Sequence, residues 1–131
     1  MAQKSAVFAP DGKAIKGYDA VAFFNQSRAV PGADSLKYDW QGVSWLFSTQ
    51  TNMELFKQNP QKYAPQYGGY CAYGTSQGHK APTQTDTWSI VDNKLYFNYN
   101  KKVQEMWTKD QQALIHKADG QWPEIKDKEW N

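Results

Sequence analysis

Two stretches of strict alternation, each broken by a pair of turn-forming residues, restrict the folds open to this chain more than any other feature. Leu36, Tyr38 and Trp40 alternate with polar residues, and beyond Gln41-Gly42 so do Val43, Trp45 and Phe47. A period of two places all six on one face of a β-hairpin. A two-residue loop at Gln41-Gly42 then sets Trp40 opposite Val43, Tyr38 opposite Trp45 and Leu36 opposite Phe47. A slip of one residue would turn every one of them to the other face, so the apolar pattern and the turn must agree. The same reasoning applied about Asp92-Asn93 predicts a second hairpin from Trp88–Val91 and Leu95–Asn98, pairing Ile90 with Leu95 and Trp88 with Phe97.

Helices are predicted between and after the hairpins. Asp19 is placed to cap a short helix with Tyr18, Val21, Ala22 and Phe23 or Phe24 on its apolar side. Ser48 or Thr49 caps a second, running to about Gln58 with Met53 and Phe56 inward, and Asn59-Pro60 ends it. Asn100 caps a longer helix to about Ala118, on which Val103, Met106, Trp107, Leu114 and Ala118 share one side, with Gly120 as its stop. His116 falls opposite that stripe, as a solvated residue. Ser5 to Lys16 lacks periodicity and is expected to wrap the surface, held by Val7, Phe8 and Ile15 and turning at Asp11-Gly12. The tail from Trp122 is charged apart from Ile125 and Trp130 and is expected to be partly disordered. Two hairpins and about three helices without βαβ spacing define an α+β domain, with a small antiparallel sheet of two hairpins packed against the helices. Both hairpin faces are expected to bury against the helix carrying Val103, Trp107 and Leu114.

The chain's 131 residues suit a single domain, and six Trp, eight Tyr and six Phe make its core aromatic. A net charge of +2 with interspersed signs offers no basis for nucleic-acid or anionic-membrane binding. No apolar run approaches the roughly 20 residues of a membrane span. Met1-Ala2-Gln3-Lys4 is expected to be a mature end left by A-x-A cleavage with Met1 added for expression, and on that expectation the protein belongs in the periplasm or outside the cell. One cysteine excludes an intramolecular disulfide and a zinc site of several thiolates. Carboxylate pairs at catalytic spacing, Ser-His-Asp arrangements, phosphate-binding glycine loops and dinucleotide fingerprints are absent as motifs.

The candidate functional stretch is Tyr63 to Pro82, YAPQYGGYCAYGTSQGHKAP, which fits neither helix nor strand. It holds Cys71 and His79 among glycines that free the backbone to turn sharply. Cys71 is expected inward, beside Tyr70 and Tyr73, with His79 nearer to solvent.

The strings GYDAVAFF, YDWQGVSWLFST, NPQKYAPQYGGYCAYGTSQGHKAP and WSIVDNKLYFNYNKKVQEMW together resemble the YHS-domain proteins, specifically their stand-alone, often exported bacterial members. The resemblance implies a YHS-like domain over residues 17–122, an extension over 1–16 and a tail over 123–131. It also implies metal handling, because YHS and related TRASH domains are associated with heavy-metal traffic. The metal-binding relatives use several cysteines, whereas this chain has one, so a four-ligand structural zinc site does not carry over. Three readings follow. In the first, Cys71 and His79 take a copper, zinc or other transition ion, with oxygen or thioether ligands completing the set. The second is a non-catalytic module binding a small ligand or a protein in an aromatic pocket built from Tyr67, Tyr70, Tyr73 and nearby tryptophans, Cys71 being structural. The third, an enzyme with Cys71 as nucleophile, His79 as base and Asp86 or Asp19 orienting it, has the least support, and no catalytic residue is assigned.

Overall fold

The structure, a computed structural model, describes residues 5–128. It is an α+β fold in which both predicted hairpins are present. The first pairs β1 (Ala33–Trp40) with β2 (Val43–Phe47), matching Tyr38 with Trp45 and Trp40 with Val43. Both loop residues have positive φ, 57° at Gln41 and 77° at Gly42, the turn whose twist suits a tight hairpin. One expected pair is corrected: Phe47 lies opposite Ala33, not Leu36, because the register shifts between Ala33 and Lys37. The start of β1 is drawn towards another segment. Gly32 N–H donates to the Gly17 carbonyl at 2.9 Å, and Gly32 itself presses on Leu46 so closely that a Cβ would stand 2.5 Å from the Leu46 carbonyl carbon. An irregularity in the strand absorbs the extra residues.

Helix α1 (Ala22–Asn25) follows Asp19, and α2 (Gln50–Gln58) begins at Thr49, whose hydroxyl accepts from Asn52 N–H at 3.0 Å. Asp19 ties these elements together. Its Oδ1 accepts from Val21 and Ala22 N–H at 2.9 and 3.2 Å, while Oδ2 accepts from Ser48 N–H, Ser48 Oγ and Asn52 Nδ2 at 2.8, 2.7 and 2.8 Å. The carboxylate is wholly buried. It therefore joins the entry of α1 to the end of β2 and the start of α2.

Helix α2 is what covers the first hairpin. Phe56 stacks on Trp45 with centroids 4.9 Å apart and meets Trp40, Tyr38 and Phe47 at 5.7, 6.2 and 5.2 Å. Such contacts contribute roughly 0.5–1.5 kcal/mol each beyond area burial. The expected cover, the C-terminal helix, packs elsewhere. Pro60 opens a short α3 (Pro60–Tyr63), as a proline at the first helical position does.

The second hairpin pairs β3 (Ser89–Val91) with β4 (Lys94–Tyr96), setting Ile90 opposite Leu95 about Asp92 and Asn93, both at positive φ. Trp88 and Phe97 lie just beyond the ladder and meet at Phe23, 5.8 and 5.3 Å from its ring. Each hairpin is a separate two-stranded sheet. Alternation along β4 divides the interior in two: Leu95 joins the core of Trp45, Phe47 and Phe56, whereas Tyr96 faces a second core of Tyr67, Ala72, Trp107, Leu114 and Ala118.

The predicted long helix is two helices, α5 (Lys101–Lys109) and α6 (Gln111–Ile125), behind a short α4 (Ala72–Ser76). Asn100 caps α5 as expected, its side chain accepting from Val103 N–H. The break falls at Asp110 (φ −135°, ψ 40°), which lets Trp107 reach Tyr96 at 5.4 Å while α6 packs on α4. Met106 is consequently 44% exposed, not part of the buried stripe. Gly120 does not stop α6, which continues through Pro123 to the buried Ile125. Proline cannot donate to the Asp119 carbonyl, so this last turn depends on tertiary anchors. One is Lys80, whose buried ammonium donates to the Lys126 and Lys128 carbonyls at 2.5 and 2.7 Å. His116 is exposed, as expected. Val7, Phe8 and Ile15 anchor the leading segment in the interior. The readings at Met1 to Lys4 and Trp130 lie outside the described residues. Among the described residues no helix is long and apolar enough to cross a membrane.

Candidate functional site

The Gly/Tyr stretch is ordered by a left-handed turn. Tyr67, Gly68 and Gly69 have φ of 57°, 63° and 87°, and Gly68 lies so close beneath residue 6 that a Cβ would overlap the Ala6 carbonyl oxygen. Its carbonyl accepts from Phe8 N–H at 2.8 Å. After the turn Cys71 runs beside Phe97 as a single bridge, donating its N–H to the Ala81 carbonyl at 3.0 Å.

Cys71 is buried at 2% exposure and serves as the N-cap of α4, Sγ accepting from Gly74 N–H at 3.4 Å. The thiol donates to Asn98 Oδ1 at 3.5 Å, and that oxygen also accepts from Tyr73 N–H at 3.1 Å. Burial pushes the thiol pKa up, against the pull of the backbone N–H groups of Gly74, Tyr99 and Tyr73. A thiol held this way is a poor nucleophile and gives up its proton reluctantly to a metal. His79 is exposed, and its Nε2 lies 3.4 Å from where a Gly74 Cβ would be, so Gly74 borders both side chains. Among the described residues no group of three or more His, Cys, Asp or Glu side chains is arranged to hold a metal ion. Two donors, one buried as a helix cap, do not fit a closed chelate.

The other candidate residues are distributed differently. Tyr70 is fully buried, its hydroxyl donating to the Ser5 carbonyl at 2.8 Å, with Lys80 Nζ 5.0 Å from its ring centroid. Tyr73 is half-buried against the second core. Asp19 is committed to its five donors and Asp86 is exposed on a 3-10 turn. Sequence reasoning missed Asn98, fully buried, because only the bridge between Cys71 and Phe97 brings it to the thiol.

A cavity lies beside the left-handed turn, with Tyr67 and Gly68 in its lining. A cleft of about 520 Å³ runs between the first hairpin and the end of α6, with Trp40, Tyr67 and Trp122 as its aromatic walls. Neither Cys71 nor Tyr70 nor Tyr73 lines it. Tyr67 is fixed by its hydroxyl, which donates to Asp119 Oδ1 at 2.9 Å, and by ring contacts with Tyr96 and Trp122 at 5.8 and 6.1 Å. Burial first, then the Asp119 carboxylate, drives the Tyr67 pKa far up, so the phenol stays neutral. Lys94 and Lys126 stand at the rim with no ion pair among the described residues. Lys80 does not line the cleft but supports Trp122, which does: besides gripping the end of α6 it donates to the Ser5 carbonyl at 3.0 Å and lies 5.9 Å from the Trp122 ring. Its own pKa is lowered by burial, partly offset by Asp127.

No curated protein and no solved structure matches the chain. The family comparison does find a match, and it ends before Cys71 and His79. Over residues 21–67, which hold α1, the first hairpin, α2, α3 and the aromatic turn residue Tyr67, the chain matches the YHS domain family model, in agreement with the resemblance carried by its motifs.

Proposed function

We propose that this protein is a non-catalytic binding module whose ligand occupies the aromatic cleft, with Cys71 a structural residue. The observation that carries this reading is the cleft: about 520 Å³, walled by Trp40, Tyr67 and Trp122 and rimmed by two lysines without ion pairs among the described residues. Aromatic walls with a few convergent polar groups are the usual construction of a small-ligand site. Cys71 does not line this cleft, and its sulfur is already used in two hydrogen bonds, with Gly74 and Asn98. The test is a screen of small soluble compounds followed by the indole N–H signals of the tryptophans in NMR. A ligand of this site shifts the Trp40 and Trp122 signals saturably, and Trp122→Ala weakens it by about tenfold or more, the equivalent of one lost aromatic contact. Saturable binding that ignores Trp122→Ala, or no response from any compound at millimolar concentration, would overturn the assignment.

Metal handling, the activity the family suggests, is supported here by the common border of Cys71 and His79 on Gly74. A third and fourth ligand would have to come from outside this pair. Native mass spectrometry after copper or zinc addition discriminates the two readings. One ion retained per chain and lost in both Cys71→Ser and His79→Ala would favour the metal site over a purely structural Cys71.

A further inference from the structure

The lining of the cleft specifies a class of ligand, an inference that rests on the cleft being the binding site. Three features act together. Trp40 and Trp122 line the cavity and are half-buried, so part of each side chain remains exposed, whereas Trp45 is 2% exposed with its Nε1 committed to the Trp40 carbonyl at 2.9 Å. Gln41, Gln61 and Gln66 line the same space, and their carboxamides have no hydrogen-bond partner among the described residues. Each carboxamide both donates and accepts. Lys94 and Lys126 contribute two ammonium groups against one carboxylate, Asp119, which is already accepting from Tyr67.

A flat apolar ligand would use the rings and offer no hydrogen bond to the three glutamines that line the cleft. Any of these groups that such a ligand closes off from water without replacement bonds counts against it. A ligand with apolar C–H faces and several hydroxyls satisfies both surfaces, because each hydroxyl is itself donor and acceptor. The excess of positive charge selects for an anionic substituent, and a carboxylate bonded by ammonium groups makes the stronger, charge-assisted kind of hydrogen bond. We propose that the cleft binds an acidic saccharide, a sugar ring bearing a carboxylate of the uronic-acid type. The ring stacks on Trp40 or Trp122, its hydroxyls meet the glutamines, and its carboxylate lies between Lys94 and Lys126. Free monosaccharide and the end of a polyuronate chain share this chemistry.

Isothermal titration with glucuronic acid, a uronate disaccharide, glucose and benzoate, with the tryptophan indole signals followed in parallel, tests the proposal. The two uronates are expected to bind at least about tenfold tighter than glucose, with monomer and disaccharide separating the free sugar from the chain end. The double variant Lys94→Met, Lys126→Met, which changes exposed side chains only, should abolish the preference for uronate and leave glucose binding unaltered. Glucose binding as tightly as glucuronic acid would overturn the proposal. So would benzoate shifting the Trp122 signal while neither uronate does, a result that leaves the cleft a binding site but gives it a different ligand class. No response to any of the four overturns the saccharide assignment, and the wider screen then decides separately on the cleft.

Discussion

Replacing Asp19 tests most directly how this fold is held together. The carboxylate accepts five hydrogen bonds, two from the adjacent start of α1 and three from Ser48 and Asn52 about thirty residues on, and it is fully buried. Asp19→Ala strands donors in the interior. The Val21 and Ala22 N–H groups and Asn52 Nδ2 lie in buried surroundings, and each unsatisfied buried donor costs about 1–3 kcal/mol. Ser48 is half-buried, so its N–H and hydroxyl can both turn to water; the three buried donors then set the scale and the expected loss is about 3–5 kcal/mol, a large part of the roughly 5–15 kcal/mol that stabilises a domain. Asp19→Asn is the sharper variant. With its oxygen kept on Val21 and Ala22, its amide nitrogen must face Ser48 N–H and Asn52 Nδ2, donor against donor. Turning the amide over moves the conflict to α1. Asn should therefore rescue little, losing at least about 2 kcal/mol. Urea unfolding followed by tryptophan fluorescence measures both: the midpoint should fall with the slope unchanged. An Asp19→Asn midpoint within about 0.3 M of the parent would show that the charge and the double acceptor are dispensable, and the reasoning would fail.

Gly68→Ala should destabilise by more than about 2 kcal/mol, since it adds a Cβ both at φ 63° and against the Ala6 carbonyl oxygen, whereas Gly12→Ala, at φ 75° with open space around it, bears only the backbone term of about 1–2 kcal/mol. Equal losses in thermal melts of the two variants would contradict the close approach at residue 68. Native Cys71 should resist iodoacetamide and react fully once the chain is unfolded, because the thiol is buried and its pKa is raised. Rapid labelling in native buffer would place the sulfur at the surface. Stability should decline in alkali. Cys71 and Tyr67 are raised chiefly by burial, as is Tyr96, pushed up to about 12, so the folded chain keeps protons that the unfolded chain releases from about pH 9 upward. The stability these groups contribute is full below their ordinary pKa values and is lost as pH climbs through the raised ones. Lys80, lowered by burial, acts in the opposite sense as pH approaches its ordinary 10.5, but it is one group against three. Urea midpoints that hold steady from neutrality to about pH 11 would refute this balance.

Period-two patterning determined both hairpins from the sequence alone, down to the pairs Tyr38 with Trp45, Trp40 with Val43 and Ile90 with Leu95. Local chemistry did the same for the cap at Asn100 and for the inward Cys71, and narrowed the cap of α2 to Ser48 or Thr49, of which the structure uses Thr49. These features depend on neighbours within a few residues, or on one turn that dictates its own register. Tertiary structure alone decided the rest. The irregularity near Ala33 answers to Gly17, the break at Asp110 to Tyr96, and the continuation of α6 past Gly120 and Pro123 to Lys80, all partners far along the chain. The cleft belongs to the same class: Trp40, Tyr67, Lys94 and Trp122 share no motif or spacing and become one site only where the first hairpin, the left-handed turn, the second hairpin and the last turn of α6 meet. A period reports which face of an element is buried, and it carries no record of what buries it.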